Sequence, residues 1–137
     1  TDGGITWNQL SLIDTKISQI VDLALSPNYS QDNTLFMLTW GGKHSLWRSL
    51  NGGTIWERVY SNTLPDVDLI DQVELSPQYG KGSQAVFIAG CGNGNPTIWK
   101  STDNGQSFIG QSAPFPIDIW TIVNDNTLFV GSYEGLN

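Results

Sequence analysis

Apolar residues in this chain fall in short alternating runs broken by turn formers. The first four are "IVDLALS" (Ile20 to Ser26), "TLFMLTW" (Thr34 to Trp40), "HSLWRS" (His44 to Ser49) and "TIWERVY" (Thr54 to Tyr60). Four more follow: "IDQVELS" (Ile70 to Ser76), "QAVFIAG" (Gln84 to Gly90), "TIWKS" (Thr97 to Ser101) and "SFIGQ" (Ser107 to Gln111). Alternation with a period of two, bounded by Gly, Asn, Asp, Ser and Pro, is the pattern of half-buried β-strands. A helical period shows only weakly, over Asn8 to Val21, and no cap pattern closes it, so that stretch reads as strand and loop. The chain is expected to be all-β.

The runs repeat. "LSPNYSQDNTLFMLT" (Leu25 to Thr39) aligns with "LSPQYGKGSQAVFIAG" (Leu75 to Gly90), and "NDNTLFVGS" (Asn124 to Ser132) matches the second half of the first. Pro27 and Pro77 are 50 residues apart, and Trp47 and Trp99 are 52 apart. One unit of about 50 residues therefore holds four strands, and radially repeated four-stranded sheets, each burying both faces against its neighbours, are the blades of a β-propeller. The expected organisation is one β-propeller segment over residues 1–137. Residues 1–22 form the end of a split blade, 23–72 and 73–116 form whole blades, and 117–137 begin an incomplete one. Two whole units and two halves are too few for a ring of four to eight blades. The expectation is either further blades in a longer chain or self-association in which copies complete each other's split blade.

A short box recurs between the third and fourth runs: Ser-x-Asp-x-Gly-x-Ser/Thr-aromatic. Ser101, Asp103, Gly105, Ser107 and Phe108 fill it completely, while Asp2, Gly4, Thr6 and Trp7 fill it from its second position onward. The middle copy keeps Ser49, Gly53 and Trp56 but has Asn51 in place of the acid and Ile55 in place of the hydroxyl. An acid or amide two residues ahead of a glycine accepts backbone N–H bonds inside its own turn, and the glycine supplies a positive φ. The box is expected to be structural. It lacks the alternating ligands and distant Glu of a helix-loop-helix calcium loop. Gly42-Lys43-His44 is likewise no phosphate loop. These three boxes, together with the "LSPxY" strands, resemble the Asp-box, or bacterial neuraminidase repeat, family of β-propellers, which includes sialidases, sortilin-type receptors and xyloglucanases. The resemblance implies propeller blades with the boxes at their outer edge, away from the face that carries sites. It implies no single activity, because those proteins do unrelated things on one scaffold.

A sialidase-like site would require three arginines, a Tyr nucleophile with a Glu partner, and an Asp, but the chain has only Arg48 and Arg58, both beside boxes. Asp66, Asp68 and Asp71 cluster ahead of the second unit and read as solvated loop acids, with paired-carboxylate glycoside hydrolysis as the competing possibility. His44 is the only histidine and is read as an exposed loop residue; Cys91, the only cysteine, is read as a small buried residue with no base to activate it. Trp7, Trp47, Trp56 and Trp99 recur with the repeat and read as packing between blades; Trp120 faces either the core or the axis. No catalytic residue, metal site or cofactor is assigned. The candidate ligand-facing residues lie in loops that look longer than a tight hairpin requires: Trp40, Lys43, His44, Asn93, Asn95, Tyr133 and Glu134. Aromatic faces and amides there suit sugar or peptide ligands.

Thirteen acids against six bases give a net charge of −7, which disfavours nucleic acid and acidic membranes as partners. No apolar run is long enough to insert in a membrane. Six Trp and 15 Gly with few charges lean towards stable extracellular or cell-surface β-proteins, and Asn28-Tyr29-Ser30 is a formal glycosylation sequon. The function expected is a noncatalytic scaffold module for carbohydrate or protein partners. The alternative is a segment of a glycoside hydrolase whose catalytic residues lie partly elsewhere.

Overall fold

The computed structural model describes residues 16–61 and 66–133. The first box (Asp2, Gly4, Thr6, Trp7) and Glu134 lie outside the described residues. Two four-stranded antiparallel sheets and a two-stranded hairpin make up the fold. The first sheet runs β1 (Gln19–Leu25), β2 (Leu35–Trp40), β3 (His44–Ser49), β4 (Glu57–Ser61); the second runs β5 (Val67–Leu75), β6 (Val86–Gly92), β7 (Asn95–Ser101), β8 (Ile109–Ser112). The hairpin is β9 (Ile119–Asn124) with β10 (Thr127–Gly131). Each of the eight expected runs contains a strand, although β4 begins only at Glu57 and β8 at Ile109, and within each sheet every strand pairs with its neighbour in sequence. The described residues form no closed ring of sheets. One element was not anticipated, a single helical turn α1 (Tyr29–Asp32), which Asn33 ends at φ 50°. Ser26 Oγ donates to Asp32 Oδ2 at 2.7 Å, so the turn is fastened to the strand it follows.

The three sheets stack face on face. Phe36, Leu38, Leu46 and Tyr60 of the first meet Val73, Leu75, Val86, Ile88 and Trp99 of the second in the main core. Each such side chain contributes roughly 1.5–3 kcal/mol by leaving water. The opposite face of the second sheet, with Ala85 and Phe87, takes Ile122, Trp120 and Leu128 of the hairpin. Trp120 thus faces a neighbouring sheet. Alternation along β6 explains both contacts, since Val86 and Ile88 point one way and Phe87 the other. Trp99 joins the core between sheets as expected, whereas fully buried Trp47 lies outside that cluster, its indole N–H donating to Thr39 Oγ1 at 2.9 Å.

Neighbouring sheets are also tied through their first strands. β1 and β5 each carry an irregularity in register, between Ile20 and Asp22 and between Ile70 and Gln72. Bulges of this kind re-aim the following side chain. Asp22 Oδ2 accepts the Val73 N–H at 2.8 Å, and Gln72, at the same place in the next unit, donates Nε2–H to the Ile117 carbonyl at 3.1 Å.

Because every strand pair is antiparallel and consecutive, the connections sort to two ends. The box turns share one end with the β1–β2 and β5–β6 connections. The β2–β3 and β6–β7 turns share the other with the approaches to β5 and β9.

Candidate functional site

At the box end the chemistry is turned inward. Ser101 Oγ donates to Asp103 Oδ1 at 2.7 Å and accepts the Gly105 N–H at 2.8 Å. Asp103 Oδ1 accepts the amides of Gln106 (3.1 Å) and Ser107 (2.9 Å), and Oδ2 accepts the Ser107 hydroxyl. The Ser107 hydroxyl, then the Ser101 hydroxyl and the Ser107 amide, hold the Asp103 carboxyl down to about 2. The middle copy repeats the frame: Ser49 Oγ donates to Asn51 Oδ1 at 2.9 Å and accepts Gly53 N–H at 2.9 Å, while Ile55 N–H donates to Asn51 Oδ1 at 2.8 Å. Its φ values follow suit, +88° at Gly53 against +86° at Gly105. Phe108 leaves the box to sit edge-on to Tyr60 of the first sheet, ring centroids 5.3 Å apart. Trp56 instead lies over its own turn, at 3.6 Å from where a Cβ on Gly53 would stand. Among the described residues no cluster of acids, His and Cys is arranged to hold a metal ion.

The opposite end gathers the loop residues singled out from sequence, but not in long loops. Asn93 and Gly94, at φ 50° and 73°, form a two-residue connection between β6 and β7, the Asn-Gly turn whose twist matches its strands. Only Gly41, Gly42 and Lys43 separate β2 from β3. The expected long loops are therefore tight turns, and Asn95 opens a strand.

His44 also departs from expectation. Its residue is 3% exposed because Trp40, its cross-strand partner on β2, stacks over it at 4.6 Å between centroids. Burial pushes the imidazole below its ordinary range, and among the described residues Nδ1 has no hydrogen-bond partner. Cys91 is half-buried rather than buried, with Sγ 3.7 Å from Asp68 Oδ2; desolvation and that carboxylate raise its thiol above the usual range, away from a reactive thiolate. Lys43 is exposed at the first sheet's turn. Tyr133 is exposed beyond β10, its amide donating to Asp118 Oδ2 at 2.8 Å. Arg48 pairs with Glu57 at 2.6 Å, and the Arg58 guanidinium lies 5.1 Å from the Trp47 ring centre, so both arginines serve the outer strands of the first sheet.

What this end does assemble is a cleft of about 360 Å³ beside the Asn93–Gly94 turn. Asn93, Asn95 and Thr97 supply amides and a hydroxyl, Asp66 a carboxylate, and Trp99 and Phe108 aromatic surface. Asp68 steadies the rim by accepting the Gly94 N–H at 2.7 Å, and the Asn93 N–H donates to the Asp66 carbonyl at 3.1 Å. Of the loop residues singled out from sequence, Asn93 and Asn95 line this cleft. Asp66, Trp99 and Phe108 were read from sequence in other roles; the pairing of β5 with β6 brings Asp66 to this hollow, and that of β7 with β8 sets Phe108 beside Trp99. Between β5 and β1, burial raises the carboxyls of Asp71 and Glu74, with the Asp22 charge adding to the effect.

Comparison with protein-family models, with curated proteins and with solved structures finds no match.

Proposed function

We propose that this chain is a noncatalytic β-propeller module of the Asp-box kind, an extracellular or cell-surface scaffold that binds carbohydrate or protein at its turn-bearing end. The observation that carries the reading is the cleft in which Asn93, Asn95, Thr97 and Asp66 stand beside half-buried Phe108, with buried Trp99 lining its wall. Aromatic faces stack on sugar rings, and amides and carboxylates bond to hydroxyls. The propeller part draws on the face-to-face stacking of three repeat-related sheets. The boxes serve as turn locks, their polar atoms being spent on one another.

The reading is tested by titrating the protein with neutral β-glucan, xyloglucan and chitin oligosaccharides, and with a cationic peptide, while following backbone amide signals. Saturable shifts should centre on Asn93 and Asn95, and Asn95→Ala should weaken them several-fold. Shifts scattered over the surface, or none with any ligand, would overturn it. A second reading, a glycoside hydrolase segment, has in its favour the raised carboxyls of Asp71 and Glu74. Release of reducing sugar from the same oligosaccharides, abolished by Asp71→Asn, would establish it in place of the first.

A further inference from the structure

Three Asn-Gly pairs occur in the chain: Asn51-Gly52, Asn93-Gly94 and Asn104-Gly105. In such a pair the glycine nitrogen, unhindered by a side chain, is one ring closure away from the asparagine's own side-chain carbonyl carbon. The fold treats the three differently. We propose that Asn93 is a self-modification site, where the Gly94 nitrogen displaces the side-chain amide as ammonia with Asp68 as base, and the aspartyl or isoaspartyl product remodels the wall of the cleft. This chemistry needs no ligand and stands apart from the scaffold reading.

Two of the pairs are held shut. Asn51 Oδ1 accepts the Ser49 hydroxyl at 2.9 Å and the Ile55 N–H at 2.8 Å, and Asn104 Oδ1 accepts the Tyr79 hydroxyl. A side chain fixed at its oxygen has to break those bonds before it can turn its carbonyl carbon towards the next residue. The glycines are hemmed in as well: a Cβ on Gly52 would stand 3.3 Å from the Tyr29 hydroxyl, and one on Gly105 3.3 Å from Leu46, Phe36 and Val59. Asn93 differs on both counts. Among the described residues its side-chain amide makes no hydrogen bond, the rim using only its main-chain N–H and C=O. The residue is exposed, and nothing lies within 4 Å of where a Cβ on Gly94 would stand. The partner of the attacking nitrogen differs too. The Gly52 N–H donates to the Asn33 carbonyl and the Gly105 N–H to the Ser101 hydroxyl, neither of which takes up a proton at neutral pH. The Gly94 N–H donates to Asp68 Oδ2 at 2.7 Å, a carboxylate within the reach required of a general base.

The atoms balance with water as the only added reactant. A bond forms between Gly94 N and Asn93 Cγ, the Gly94 N–H proton passes by way of Asp68 to the departing nitrogen, and ammonia leaves a five-membered cyclic imide. Water then opens either carbonyl of the ring. Opening at the main-chain carbonyl routes the chain through Cγ and adds a methylene to a connection of two residues, so the pairing of Gly92 with Asn95 that closes β6 on β7 loses its register. Opening at Cγ keeps the chain as it was. Both products put a carboxylate where the cleft had an amide, near Asp66 and Asp68, and make the chain more negative than −7.

The test incubates the whole 137-residue chain at neutral pH and body temperature, then maps the three pairs by mass after proteolysis, with isoaspartyl methyltransferase labelling to count the isoaspartyl product. Conversion is expected several-fold faster at Asn93 than at Asn51 or Asn104. In strong urea the three should convert at similar rates, because the fold alone separates them. Asp68→Asn keeps an acceptor for the Gly94 N–H but cannot take its proton, and should slow Asn93 by about tenfold or more. In the converted protein the amide signals of Gly92, Asn95 and Thr97 should move while those of the box turns stay in place. Asn51 or Asn104 keeping pace with Asn93 overturns the proposal, as does the same order of rates surviving in urea; that comparison needs no variant. An Asp68→Asn protein that is folded by circular dichroism and converts as fast as the parent would remove Asp68 as base, and unchanged amide signals after conversion would remove the remodelling. Mass reports conversion without any ligand, so this site and the carbohydrate reading stand or fall separately.

Discussion

The complete boxed turn, Ser101 to Phe108, and the middle one, Ser49 to Trp56, share a hydrogen-bond frame and differ in what surrounds it. At Gly105 an added Cβ would meet Leu46, Phe36 and Val59 of the first sheet, each at 3.3 Å; at Gly53 it would meet, among the described residues, Trp56 of its own turn at 3.6 Å. Asp103 bonds a hydroxyl and two amides beyond Ser101, whereas Asn51 bonds one amide beyond Ser49. The complete box is thus part of the seam between two sheets, whereas the middle one, among the described residues, meets its own sheet's β1–β2 connection, the Gly52 N–H donating to the Asn33 carbonyl at 2.9 Å. A turn that also forms an interface tolerates less change than one that faces water. The Asp-to-Asn and Ser-to-Ile replacements are found where the surroundings are forgiving.

The glycines offer the sharpest way to break this comparison. Gly105→Ala should cost about 2–3 kcal/mol, combining left-handed strain with pressure on Phe36 and Leu46, and Gly53→Ala about 1 kcal/mol from strain alone. Urea unfolding measures both, and equal losses would deny the seam its role. The next effect is smaller. Asp103→Ala should cost about 1–2 kcal/mol at neutral pH and Asn51→Ala about 1 kcal/mol. The Asp103 contribution has a pH signature, because its carboxyl lies at about 2 in the fold against an ordinary 3.8. Stabilisation is fully present above the ordinary value and disappears as pH falls through about 2, so the penalty of Asp103→Ala should vanish in acid while that of Asn51→Ala persists.

His44 separates the two sheets by a different route, since the second carries no histidine at its tight turn. With a folded pKa below 6.5, its unfolded form takes the proton first, so stability should fall as pH drops below 6.5. His44→Phe keeps the contact with Trp40 and should flatten that part of a melting-temperature-against-pH profile; an unchanged slope would assign the loss to other groups. The smallest expected change is a gain. Ile55→Ser restores the missing hydroxyl to the middle box and should add about 0.5 kcal/mol, more if combined with Asn51→Asp.

Much of this was legible in sequence for a specific reason. Alternation in "TLFMLTW" and "QAVFIAG" sets both the strand and its two faces, and the box residues bond within seven positions of one another. Features that depend on longer reach were not legible. The burial of His44 depends on Trp40 lying directly across a three-residue turn, which the glycines of "TWGGKHSLW" had disguised as a longer loop. The Asn93-Gly94 turn signal was present in "GNGNP", but the surrounding glycines and amides masked it. The reach of Asp22 to Val73 needs a bulge that no residue type announces, and the cleft needs Trp99 and Phe108 brought together across β7 and β8.

Pairing only between consecutive strands also sets the order of events during synthesis. Each hairpin can close as soon as it clears the ribosome, without waiting for distant sequence. The face of the first sheet that carries Phe36 and Leu46 cannot be covered until Val73, Ile88 and Trp99 have been made, the last about 60 residues after Phe36. At roughly 5–20 residues per second that leaves an oily sheet open for about 3–12 s. A nascent chain in that interval is a natural client for a chaperone, and a pause placed just after the first sheet would lengthen the exposure, while one after β8 would not.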